Sequence, residues 1–167
     1  MEYSIVIRTV GKAGEKYQKL LDSIKKLNVQ PVEVLVVLPK GYEKPKERLG
    51  DEKFVYSEKG MVQQRIAGGR LAKGEYLLFL DDDVEFEGDF IEQISKPLRE
   101  GTADVSVPSQ FSMFPPKKGV RKIIPMLTLS ACPTIFHKDM YVKILSSGGW
   151  SYHRYDSKCV GKYLKTE

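Results

Sequence analysis

Apolar and polar positions fall into blocks along the chain. YSIVIR, residues 3–8, is a short run rich in β-branched side chains, and GKAG at 11–14 breaks it. Tyr17, Leu20, Leu21, Ile24 and Leu27 then recur at steps of three and four, the stripe of an amphipathic helix. Pro31 introduces VEVLVVL (32–38) and Pro39 closes it, the pattern of a strand buried on both faces. FVYS (54–57) is a brief further strand. GMVQQRIAGGRLAK (60–73) reads as a helix that Gly68 and Gly69 weaken. EYLLFLD (75–81) is a second fully buried strand, and GDFIEQISKPLRE (88–100) is a helix that Pro97 bends or ends. ADVSVP (103–108) and TLSACPTIF (128–136) are strand candidates on either side of an irregular stretch at 111–126. HKDMYVKIL (137–145) and SKCVGKYLKT then suggest helices. No internal repeat is visible.

Strands alternating with helices predict an α/β domain with a largely parallel central sheet. The length of 167 residues fits one domain, with the first part, 1–110, and the last, 111–167, as its two halves. In such sheets ligands bind beyond the carboxyl ends of the strands. There, after the apolar LLFL, stand Asp81, Asp82 and Asp83.

Three adjacent carboxylates repel one another, the more so beside a low-dielectric core. A cation relieves that repulsion, and Mg²⁺ or Mn²⁺ takes oxygen ligands, commonly one or two carboxylates plus substrate phosphates. If the segment stays extended, Asp81 and Asp83 point one way and Asp82 the other. The pattern therefore suggests a metal–diphosphate site in which Asp83 or Asp81 touches the metal. An EF-hand loop over 81–92 would also place acids at the right positions, but Phe86 stands where the turn needs glycine and a strand precedes it. A solvated acidic turn capping a strand is the plainer alternative.

The stretch QRIAGGRLAKGEYLLFLDDDVEFEGDFIEQI (64–94) resembles glycosyltransferase family 2, the inverting nucleotide-sugar transferases of the GT-A fold. Arg65, Gly68, Ala72, Gly74 and Glu75 match the family's Arg-Asn-x-Gly helix and Ala-Lys-Gly-Glu segment, followed by its Asp-x-Asp motif. SIVIRTV is similar to the family's first strand, which lies against the nucleotide base, and FHKDMYVKILSSGGW resembles the segment leading to the acceptor site. Tyr155-Asp156 falls where the family has Glu-Asp, whose Asp is the usual catalytic base. The resemblance implies a Rossmann-like three-layer sandwich. Residues 1–110 would bind the nucleotide sugar and 111–167 the acceptor, the second half in a minimal or truncated form. Four departures stand out: Arg8 replaces a Pro, VLPKGY lacks the acid that contacts uracil, Ile66 replaces the helix Asn, and the sequence stops at Glu167.

The implied reaction is one displacement at the anomeric carbon, from a nucleoside-diphosphate sugar to an acceptor hydroxyl, with inversion. Thr9, Arg65, Asp81 and Asp82 would bind the nucleotide sugar, Asp81 and Asp83 would hold Mn²⁺ or Mg²⁺, and Asp156 would be the general base. Asp156 equally suits the N-cap of a final helix, and Arg65 a surface ion pair. His137 and His153 lack partners at ligand spacing, and Trp150 suits core packing or a sugar stack.

Charge adds a partner class. The formal net charge is +5, but residues 113–167 hold 10 Lys/Arg against 3 Asp/Glu, while the rest is slightly acidic. In FPPKKGVRKIIPML (114–127), Lys117, Lys118, Arg121 and Lys122 stand beside apolar residues, which suits a lipid-phosphate acceptor at a membrane surface or a lid over the donor. No apolar run reaches the roughly 18 residues of a membrane span, and the start is unlike a signal peptide. Cys132 and Cys159 show no metal-ligand spacing and read as reduced thiols, so the expected location is the cytoplasm, peripheral to the membrane's inner face. Basic residues without interleaved aromatics give no nucleic-acid signature. Two other functions stay open: a sugar-phosphate nucleotidyltransferase, although RTVGKAG is a poor version of its loop, and a non-catalytic nucleotide-binding domain.

Overall fold

The computed structural model describes residues 1–103, 105–106 and 134–139. Among these, the elements run β1 (Tyr3–Arg8), α1 (Glu15–Lys25), β2 (Glu33–Pro39), β3 (Lys53–Ser57), α2 (Met61–Leu71), β4 (Tyr76–Asp81), α3 (Phe90–Arg99), β5 (Val105–Ser106) and β6 (Thr134–His137). They form one sheet of order β3-β2-β1-β4-β6-β5. The strands β3, β2, β1 and β4 are mutually parallel, while β6 runs antiparallel to β4 and to β5. The mostly parallel α/β sheet expected from the sequence is present.

Side-chain alternation sorts the sheet into two faces. Tyr3, Ile5 and Ile7 of β1 pack with Val34, Val36, Leu78 and Leu80 against Tyr17, Leu20, Leu21 and Ile24 of α1 and Ile91 and Ile94 of α3. Val6, Leu35, Val37, Leu77 and Phe79 face the other way, against Ala67 of α2 and Ala72 at its C-terminal end. The three layers follow: α1 and α3, the sheet, then α2.

The glycine that weakened α2 on paper has a packing role. A Cβ on Gly68 would overlap Val6 Cγ1 and lie 2.9 Å from Val37 Cγ2, so only glycine lets the helix press so close to the sheet. Gly74 is tighter still, since its Cβ would meet the backbone of Tyr3 and Ser4. Its own N–H donates to Ser4 Oγ at 2.8 Å, and Ser4 donates to Glu33 Oε1 at 3.0 Å. Pro97 does not end α3; it stands inside the last turn, and its carbonyl accepts from Thr102 N at 3.0 Å just beyond the helix.

The irregular stretch, most of the helix expected at 137–145, the final helix, both cysteines, His153, Trp150 and Asp156 lie outside the described residues, as do Lys117, Lys118, Arg121 and Lys122. No helix among the described residues is long and apolar enough to cross a membrane.

Candidate functional site

Two apolar strands lie side by side and each ends in a charge. Tyr3-Ser-Ile-Val-Ile-Arg8 pairs residue for residue with Tyr76-Leu-Leu-Phe-Leu-Asp81, so Arg8 and Asp81 are neighbours at the carboxyl edge. Arg8 Nε donates to Asp81 Oδ1 at 2.9 Å. From the opposite layer, Arg65 of α2 donates through an NH2 group to the same oxygen at 3.0 Å. Arg65 and Asp81 are both buried. A carboxylate in that setting would be costly alone, and two guanidiniums offset its desolvation.

Burial opposes the charge on Arg8, but the bonded Asp81 carboxylate outweighs it, helped by Asp82 and Asp83 nearby. The net effect holds its pKa above the ordinary guanidinium value. Arg8 is therefore a permanent cation among three acids.

The chain turns immediately after Asp81, and this changes the expected geometry. Asp82 and Asp83 belong to a turn, so strand alternation no longer places them on opposite sides. Both line one open cleft of about 370 Å³, together with Val10, Lys12, Ala13 and Lys16. Asp82 Oδ2 accepts from Thr9 Oγ1 at 2.5 Å, and that hydroxyl accepts from Gly11 N at 2.9 Å. Asp83 is more than half exposed, with Lys16 Nζ at 4.0 Å. Gly11 is held in the left-handed region at φ 76°, where glycine is favoured, and presses against the carbonyl of Glu43. The loop after β1 is thereby closed against the loop after β2.

Beneath the cleft, buried Gln64 donates from one amide nitrogen to Thr9 O at 2.8 Å and Val37 O at 2.7 Å. It ties together the ends of β1 and β2. Tyr17 is buried too, and its hydroxyl is pushed well above the usual tyrosine range by burial, then by Glu52, with Arg48 opposing. After β2, the half-buried Tyr42 has its hydroxyl pulled down by Lys59, whose ammonium lies 5.5 Å from the ring centre. A second pocket of about 270 Å³ at Gly60, Met61, Val62 and Gln63 has no ionisable side chain in its lining, and so offers less chemistry.

The structure thus brings Thr9 to Asp82, and Arg65 to Asp81, while leaving Asp83 open. Sequence reasoning passed over Arg8 as a mere departure from a pattern, and missed Gln64, Lys12 and Lys16. One signal could have found Arg8: two similar apolar strands that close on opposite charges. Among the described residues, no three His, Cys, Asp or Glu side chains gather as a ready-made metal site.

The Glycosyl transferase family 2 sequence model matches residues 42–160, most of the chain and all of the acidic turn. The chain belongs to glycosyl transferase family 2. Comparison with curated proteins finds no match. Among solved structures, Staphylococcus aureus TarS 1–349 in complex with UDP aligns at a TM-score of 0.59 and 17% identity, covering 86% of this chain and 48% of that one. The 4-diphosphocytidyl-2C-methyl-D-erythritol synthase of Anaerococcus prevotii aligns at 0.62 and 13% identity, covering 99% and 85%. The 2-C-methyl-D-erythritol 4-phosphate cytidylyltransferase of Thermus thermophilus aligns at 0.60 and 18%, covering 98% and 85%. At such identities these likenesses establish the GT-A-like fold. This family 2 chain spans about half the length of TarS 1–349.

Proposed function

We propose that the chain binds a nucleoside-diphosphate sugar and transfers the sugar, with inversion, to an acceptor hydroxyl. The observation that carries this reading is the cleft at the carboxyl ends of β1 and β4, where Asp82 and Asp83 face Lys12 and Lys16 in a family 2 chain. The fold shared with TarS, which has been solved with UDP and with UDP-GlcNAc, supports a donor of that class.

Each residue has a task set by its surroundings. Lys12 and Lys16 offer charge to the diphosphate. Asp82, fixed by Thr9, is suited to accept from ribose hydroxyls, as a carboxylate held by one hydroxyl keeps lone pairs to spare. Arg65 and Arg8 hold Asp81 so that the turn cannot swing away.

The donor set fits a divalent cation. Exposed Asp83 is the natural ligand, and Asp81 would join through the oxygen its arginines leave free; Mn²⁺ or Mg²⁺ with diphosphate oxygens needs only one or two carboxylates. When bound there, the cation would stabilise the charge developing on the departing diphosphate. Asp156 is our candidate for the base that takes the acceptor's proton, a role that rests on the family resemblance. The basic final third suits a lipid-phosphate or glycan acceptor.

The cytidylyltransferases, matched over 85% of their length, favour a second reading as a nucleotidyltransferase. Products separate the two. Incubation with UDP-, GDP- and CDP-sugars and Mn²⁺ should release a nucleoside diphosphate, and Asp83→Ala should abolish the release. Pyrophosphate released from a nucleoside triphosphate and a sugar phosphate would instead establish the second reading.

A further inference from the structure

The chain itself relieves much of the repulsion among the three aspartates. Asp81 meets two guanidiniums, Asp82 meets the Thr9 hydroxyl, and Asp83 has Lys16 at 4.0 Å. Lys12 lines the same cleft. Three carboxylates thus face four cations before any ligand arrives.

The two arginines are not equivalent. Arg65 is buried, with a side chain 3% exposed, and serves the interior. The Arg8 side chain is 22% exposed at the edge of the sheet. Its bond to Asp81 uses Nε alone, and among the described residues no acceptor takes its two terminal nitrogens. A guanidinium has five N–H donors in a planar fork that matches phosphate oxygens, and it stays charged at every working pH. Thr9, the next residue, is already bonded to the aspartate turn.

We propose that Arg8 is a donor-binding residue that gives the diphosphate a cation belonging to the chain, so that a nucleoside diphosphate binds here without a divalent metal. This rests on the nucleotide-sugar reading above and concerns the binding step; a metal at Asp83 would act on transfer.

The test is calorimetric titration of UDP, GDP and CDP into the full chain, first in EDTA and then with Mn²⁺. The expected result is that one diphosphate binds in EDTA, and that Arg8→Gln or Arg8→Met, whichever is shown folded by circular dichroism, weakens it by about 10-fold or more. Arg8→Lys should recover only part of the affinity, because it restores the charge but not the fork. A purely structural role for Arg8 predicts a lowered melting temperature and an unchanged metal-free affinity. Binding that requires Mn²⁺, or equal affinity in EDTA for wild type and the neutral variants, overturns the proposal while leaving the nucleotide-sugar reading intact. No binding of any diphosphate in either buffer overturns that reading, and the proposal with it.

Discussion

Arg8 and Asp81 are 73 positions apart in sequence and in register on neighbouring parallel strands, joined by a 2.9 Å bond. Arg65 completes the group from the other layer at 3.0 Å. A buried acid held by two cations depends on both, and removing either leaves it half-compensated. Arg65→Met should therefore cost up to about 3 kcal/mol of stability, since the buried carboxylate loses one of its two partners and keeps only the more exposed Arg8. Urea unfolding of the full chain measures this, and a change within about 0.5 kcal/mol would show that Asp81 is solvated after all.

The contact of Thr9 with Asp82 can be tested apart from stability. Thr9→Val keeps the side-chain shape and removes the hydroxyl that donates at 2.5 Å. If Asp82 orients ribose, affinity for a nucleoside diphosphate should fall about 10-fold, the scale of one hydrogen bond to a charged group. The corresponding deoxyribose nucleotide should show a smaller loss.

Two glycines should differ in sensitivity. Gly68→Ala presses a methyl group onto Val6 and Val37, side chains that can shift, and should cost about 1–3 kcal/mol. Gly74→Ala meets the backbone of Tyr3 and Ser4, which cannot turn aside, and should cost more. Paired denaturation curves read the order directly. The reverse order would mean that the loop before β4 relaxes more readily than α2.

Glu33 sets an acid limit on stability. Its side chain is nearly buried; burial alone would raise its pKa. Lys53 Nζ at 3.0 Å, the Lys73 backbone N–H at 2.6 Å and Ser4 Oγ at 3.0 Å together bring it below the usual carboxylate value. Because the folded pKa is the lower one, this stabilisation is present above the unfolded value, about 4.3, and is lost as pH falls through the folded value. Glu33→Gln should be less stable than wild type at neutral pH, and the gap should narrow below about pH 4. Urea midpoints at several pH values check this; a constant gap would assign the loss to packing.

Much of the architecture could be read from local pattern. The runs 3–8, 32–38, 54–57 and 75–81 became strands within a residue or two, and the 3–4 stripe from Tyr17 became α1. Burial on both faces imposes an apolar run that needs no knowledge of neighbours. The acidic turn was equally legible, as was its position at a strand's carboxyl end. The side-chain directions in that turn were not. Alternation holds only while the chain stays extended, and it turns after Asp81, so Asp82 and Asp83 share one cleft.

Sequence by itself determined the order of helices and strands, the apolar centre of the sheet, and the edge at which the acids would gather. Tertiary structure alone decided how those acids are neutralised. Arg8 reads as a substitution until β1 lies beside β4, and Arg65 as a donor-site contact or a surface ion pair until α2 crosses the sheet close enough for Gly68 to touch Val6. Periodicity is a property of consecutive residues, and the chain displays it locally. Ion pairing falls off with distance through space, and only strand register and helix packing set those distances.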